Sequence, residues 1–221
     1  MLLKKMAAKN YHGNGAAIFR RKNKVIFTLI ALLLLMSCLA FAQKTTLSYK
    51  VIRNSSEAGW MKLVKQTNAD WSTINMNSQV KVRFVFLFTI ISNEFTEVRE
   101  QRLIHADVFR KVNGNVKADL HTRICGSNYE KQDAARKELM KIQPVAFNVL
   151  DLYFQEPVGI TKVYSGTQQQ NLSIEKQGNG IYRLYMPDGE YNEFYYNAKG
   201  ICARVKVGHG IYAAEFQLAQ Q

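Results

Sequence analysis

Short runs of alternating apolar and polar residues, each closed by a glycine-bearing turn, recur along this chain at roughly 8–12 residue spacing and commit it to antiparallel β structure. Residues 201–207 show the period most plainly. Ile201, Ala203, Val205 and Val207 fall on one face, and Cys202, Arg204 and Lys206 on the other. Asn113-Gly114, Gly178-Asn179-Gly180, Asp188-Gly189, Lys199-Gly200 and Gly208-His209-Gly210 each lie between two such runs, where glycine supplies the positive φ of a tight hairpin. The pattern predicts strands over 45–53, 60–67, 70–78, 80–92, 94–102, 103–112, 116–125, 160–165, 171–177, 181–186, 190–197, 201–207 and 211–218. Strands joined in this way make a meander.

One stretch departs from the period. Residues 133–141 (DAARKELMK) set good helix formers behind an Asp cap. Residues 144–155 (PVAFNVLDLYFQ) begin with proline, which a first helical turn accepts, and stop before Pro157. On a helix Val145, Val149 and Leu152 would share a face flanked by Phe147 and Leu150, a stripe broad enough to press on a sheet. The expected fold is therefore mainly β: a large curved antiparallel meander, half-barrel or barrel-like, with one or two helices packed on it. It forms a single domain over 43–221, in which the polar patch 165–171 (SGTQQQN) reads as a loop.

Residues 80–91 are apolar beyond what alternation requires. Read as one strand, Val80, Val82, Phe84, Phe86, Phe88 and Ile90 make one apolar face. The other face starts at Lys81 and Arg83 but continues through Val85, Leu87, Thr89 and Ile91. A strand apolar on both faces is covered on both sides. Either neighbouring elements cover it, or part of it lines a cavity for an apolar ligand, as in the mouths of β-barrels. In the second reading Phe84, Phe86 and Phe88 meet the ligand together with Phe147, Leu150 and Phe154.

The hairpin around Gly114 permits a register argument. A three-residue loop over 113–115 pairs Val112 with Val116, Val108 with Leu120 and Ile104 with Ile124, apolar against apolar. It also sets Asp107 opposite His121 and His105 opposite Arg123. Two imidazoles and a carboxylate on one side are the ingredients of a metal site, although Arg123 beside them repels a cation. The alternative is a solvated polar face. His209, between two glycines, reads as a turn residue. Glu94, Glu97 and Glu100 suggest paired carboxylates, but a spacing of three throws Glu97 to the opposite face of a strand.

Cys125 and Cys202 are both placed on the polar side of their strands, which makes them a candidate disulfide in an oxidising compartment. Tyrosines gather late, at Tyr164, Tyr182, Tyr185, Tyr191, Tyr195, Tyr196 and Tyr212, where they serve cross-strand packing or meet a partner. Tyr195 and Tyr196 point to opposite faces. No G-x-S-x-G, H-E-x-x-H, P-loop, G-x-G-x-x-G after a strand or C-x-x-C is found, so the reading leans away from an enzyme and names no catalytic residue and no cofactor.

The first 42 residues read as an export signal. Arg20, Arg21, Lys22 and Lys24 precede the apolar run 25–42, and Ala40-Phe41-Ala42 supplies a cleavage element before Gln43. Lipidation of Cys38 within Leu35-Met36-Ser37-Cys38 is one alternative, and an uncleaved anchor another. Seven basic residues and no acidic ones lie in 1–42, so about half of the formal charge of +13 belongs to the signal. The remainder is mildly basic and has no lysine-arginine tract, which argues against nucleic acid as a partner. Export places the protein in the periplasm or outside the cell, or on a membrane surface, with an outer-membrane lipoprotein as the minor alternative.

Several segments, taken in order, carry a resemblance. They are Tyr49-Lys50-Val51 followed by Gly59, the segment 78–92 ending near Glu94, Val112-Asn113-Gly114, Leu152-Tyr153-Phe154 with Glu156-Pro157, and Tyr185-Met186-Pro187-Asp188-Gly189. Together they resemble an uncharacterised domain-of-unknown-function family of exported Gram-negative bacterial proteins. The pattern is also similar to periplasmic half-barrels of the lipoprotein-carrier type, which implies a curved sheet around an apolar cavity. The leading expectation is a non-enzymatic envelope protein that binds an apolar small molecule or lipid. The alternatives are a filled-core scaffold that meets an envelope protein partner through its Tyr-rich strands, and an exported enzyme built around His105, Asp107 and His121.

Overall fold

The alternation does produce a meander. The computed structural model describes residues 43–83, 86–140, 145–208 and 213–219. In chain order its strands are β1 (Gln43–Arg53), β2 (Ser56–Thr67), β3 (Trp71–Arg83), β4 (Leu87–Arg99), β5 (Arg102–Val112), β6 (Asn115–Cys125) and β7 (Asn128–Gln132). There follow β8 (Lys137–Met140), β9 (Lys162–Ser165), β10 (Gln170–Gly178), β11 (Ile181–Tyr185), β12 (Tyr191–Tyr196), β13 (Cys202–Val207) and β14 (Ala214–Leu218). All pair antiparallel in one sheet. The first eight run in chain order from β8 at one edge back to β1, and the last six run from β14, beside β1, out to β9 at the other edge.

The apolar run 80–91 is a hairpin and not one strand. The turn falls between Arg83 and Leu87, so β3 and β4 replace the three strands expected over 70–102. Face assignment survives, because Val80 pairs with Ile90 and Val82 with Phe88, and paired residues share a side. Phe84 lies outside the described residues, as do His209 and the whole of 1–42 with Cys38.

Neither expected helix forms. Asp133 accepts hydrogen bonds from the backbone N–H groups of Ala135 and Arg136, both at 2.8 Å, and closes a turn into β8. A helix cap and this turn draw on the same side-chain-to-backbone bonds, and strand pairing with β7 decides the outcome. In the second segment only Asp151–Tyr153 coils, as a single 3₁₀ turn. Asn148 Oδ1 accepts from the amide of Leu150 at 2.9 Å, holding the local chain in a turn. Leu150, Leu152, Tyr153 and Phe154 are all buried, as are Asn148 and Asp151, so the segment is covered on every side and lies inside the curved sheet.

Residues 145–161 fill one end of that interior. Lys65 of β2 donates to Asp151 Oδ1 at 2.9 Å, and Asp151 Oδ2 takes the Asn148 side-chain amide at 2.6 Å. Tyr196 of β12 donates to the Leu152 carbonyl at 2.7 Å, and Tyr182 of β11 to Glu156 at 2.9 Å. Tyr153 packs edge-on against both Tyr49 and Phe194. The sheet's two ends approach without a shared ladder. The β9–β10 turn lays Gly166 against Val108, and Gln169 Nε2 donates to the carbonyls of His121 and Gln132. The polar patch at 165–171 is thus the seam of a barrel-like sheet.

A register shift in the β12–β13 pair reverses the face assignment of the first residues of β13, so Cys202 turns inward beside Val205. Cys202 is fully buried and Cys125 exposed, and both are free thiols, so the candidate disulfide is not formed. Their strands, β13 and β6, are not neighbours in the sheet.

Gly59 sits at the bulge where β2 slips against β1. A Cβ there would stand 2.1 Å from the Gln79 carbonyl oxygen and 2.8 Å from Val80 Cα, so only glycine admits the close approach of β3. Gly59→Ala is expected to lose at least about 1–3 kcal/mol of stability in chemical denaturation, the cost of overpacking against a backbone that cannot swing aside.

Candidate functional site

The interior left open by residues 145–161 is a cavity of about 920 Å³ at the end of the sheet that carries the β1–β2, β3–β4, β5–β6 and β13–β14 connections. Apolar walls come from Val80 and Val82 of β3, Phe88 and Ile90 of β4, Val112 of β5 and Phe216 of β14. Successive inward residues are about 6.6 Å apart along a strand, so the wall from Phe88 to Glu94 is about 20 Å deep. Phe86 stands at the rim, 72% exposed. Arg53 is also at the mouth and donates to the Arg83 carbonyl at 3.2 Å.

The deep end is polar. Arg110 Nε donates to Ser92 Oγ at 3.0 Å, and its Nη2 lies 3.9 Å from Glu94 Oε1. Thr167, from the seam turn, donates to the same carboxylate oxygen at 3.3 Å. Glu94 faces inward while Glu97 faces outward, as the spacing required. Ser92 and Arg110 escaped the search for site residues, and Glu94 entered it only as a member of a carboxylate pair. Their signal was an ionisable residue at the inward parity of an apolar strand, as Arg110 is between Val108 and Val112.

Of the six expected ligand contacts, Phe86 and Phe88 line the cavity. Phe147, Leu150 and Phe154 do not: they belong to the packed core beneath it. The reason is the missing helix, since these residues pack into the filled half and present no stripe to the open half.

On the outer face, His105, Asp107 and His121 converge. Asp107 pairs with His121 and His105 with Arg123, as the register argument required, though by a different turn. The chain reverses in two residues, with Asn113 and Gly114 both at positive φ, and a bulge at Arg110/Lys111 restores the register. His121 Nδ1 is 2.5 Å and His105 Nε2 2.7 Å from Asp107 Oδ1.

The late tyrosines divide between the two faces. Tyr164 and Tyr182 are core, and Tyr196 points inward to Leu152. Outside, the Arg183 guanidinium lies 4.2 Å over Tyr191 and that of Arg204 4.0 Å over Tyr195. Glu193 accepts from Arg183 at 2.9 Å and from the Tyr195 hydroxyl at 2.7 Å, which completes an outer ladder.

Residues 49–219 match the family described as Domain of unknown function (DUF6134), and the chain belongs to that family. Among solved structures it is similar to the crystal structure of a beta-barrel-like protein of Domain of Unknown Function DUF1849 from Brucella abortus. The two share 10% identity over 81% of this chain and 96% of that one, with a TM-score of 0.51. A likeness at that identity concerns the fold: a barrel-like antiparallel sheet. No curated protein matches the chain.

Burial pushes the Glu94 carboxyl above its ordinary value, and the nearby Arg110 and the Thr167 hydrogen bond only partly offset it. An unfolded chain ionises this carboxyl freely, so the folded state is relatively favoured at low pH and loses that advantage as pH rises through the folded value. Glu94→Gln keeps the shape and removes the charge. It is expected to raise the melting temperature at pH 8 by about 2–4 °C for each kcal/mol relieved, with the gain shrinking toward pH 4.5 in thermal scans.

Proposed function

We propose that this chain is an exported, non-enzymatic binding protein for an apolar or lipid-like ligand. The observation that supports the reading is the cavity of about 920 Å³, walled by Val80, Val82, Phe88, Ile90 and Phe216 and floored by Arg110, Ser92 and Glu94. Its size lies within the range of small-molecule sites, which combine apolar lining with a few placed polar groups. The ligand's apolar body packs against the walls, and an acceptor group, anionic or neutral, meets the Arg110 guanidinium at depth. The signal read over 1–42 supplies the address: an envelope space, where a shielded apolar site serves to hold or carry a molecule that water rejects.

The outer tyrosines favour this reading over a docking face. Arg183 and Arg204 are stacked on Tyr191 and Tyr195, and Glu193 accepts from both Arg183 and the Tyr195 hydroxyl, so this ladder is in large part satisfied within the chain.

The test is titration with a fluorescent fatty-acid analogue. Wild type is expected to bind it saturably. Val80→Trp, which fills the cavity from one wall, is expected to weaken binding by at least about tenfold, or 1.4 kcal/mol, while the melting transition stays cooperative. Unchanged affinity in a folded Val80→Trp protein would overturn the assignment.

A further inference from the structure

We propose that His105, Asp107 and His121, on the outer face of β5 and β6, bind a first-row divalent cation of the zinc class. Their ligand atoms all lie within 4.8 Å of one another. The argument rests on how these atoms converge. Asp119 Oδ1 lies 3.3 Å from His121 Nε2, the ring nitrogen that does not face Asp107. His121 Nδ1 is hydrogen-bonded to Asp107 Oδ1 at 2.5 Å. His105 Nε2 approaches the same oxygen at 2.7 Å, is itself buried from solvent, and makes no aligned hydrogen bond. Two imidazole nitrogens thus converge on one carboxylate oxygen, and His105 Nε2 has no hydrogen-bond partner there, an arrangement that a bound cation completes.

The surroundings match what a metal-binding histidine needs. A carboxylate beside the distal ring nitrogen helps to orient a metal-binding ring, and Asp119 stands 3.3 Å from His121 Nε2. Phe95 packs edge-on against His105 at 5.5 Å between ring centres and limits that ring's rotation. Two imidazoles and one carboxylate suit zinc, cobalt or nickel in preference to calcium or magnesium, which prefer all-oxygen sites. Around one zinc the ligand atoms stand about 3.3 Å apart, so binding spreads the present contacts by somewhat more than half an ångström. All three side chains are between 23% and 33% exposed, which gives them room to do so and leaves a coordination position toward solvent. Arg123, opposite His105, is exposed and lowers the affinity without blocking the site.

The test is calorimetric titration of the untagged full chain with zinc chloride, followed by cobalt chloride with absorption spectroscopy. One equivalent of zinc is expected to bind, and cobalt to give the visible bands of a low-coordinate site. Asp107→Asn and His121→Gln are expected to abolish uptake. Asp119→Asn, which touches no metal, is expected to weaken it by about 10–100-fold, the usual loss when an orienting partner is removed. Melting scans in metal-free buffer check that each variant folds. Absence of uptake by wild type, or uptake that persists in folded Asp107→Asn, would overturn the proposal.

Discussion

A sheet of fourteen strands that curls without joining its edges must cover its concave face from within, and residues 145–161 do this for one half. The segment carries backbone polar groups into an apolar interior, where each needs a partner. Tyr196 serves the Leu152 carbonyl, and the amides near Asn148 are held by the Asn148 and Asp151 side chains. Lys65 neutralises Asp151 across the interior. Removing one member of such a pair leaves an uncompensated buried charge, at a cost of about 3–5 kcal/mol. The filled half is therefore specified by polar contacts as much as by apolar packing, and those contacts fix where the filling stops.

The open half follows from the same arrangement. Toward the rim the inward residues of β3, β4 and β5 that line the cavity, Val80, Val82, Phe88, Ile90 and Val112, are all apolar. The seam turn closes the deep end, since Thr167 reaches Glu94 while Gln169 ties β6 and β7 to the opposite edge. One turn thus joins the sheet's ends and delimits the polar floor. Side chains rather than a backbone ladder make this seam, so the sheet is barrel-like without being a closed barrel.

Much of this was legible in the sequence wherever period-two alternation and glycine turns acted together. The meander followed from the alternation, and the opposition of Asp107 to His121 from pairing apolar with apolar, although that pairing called for a three-residue loop where Asn113-Gly114 reverses the chain in two. The helices were misread because Asp133 and Asn148 carry signals that caps and turns share, and because a segment buried all round shows the same apolar content as a helical stripe. The 80–91 run hid its turn, since no glycine, proline or asparagine marks the reversal. Cys202 was placed outward because a bulge, which alternation cannot reveal, shifts the first residues of β13. Arg110 and Glu94 became meaningful only once the sheet curved and brought them to the floor of one cavity.

The central claim is that this cavity holds a molecule. Native mass spectrometry of the protein purified gently from a bacterial envelope, and again after solvent extraction and incubation with an envelope lipid extract, tests it most directly. The account predicts a reproducible added mass of lipid size, lost on extraction and regained on incubation. A protein that carries no added mass in either preparation, with its fold intact, would contradict it.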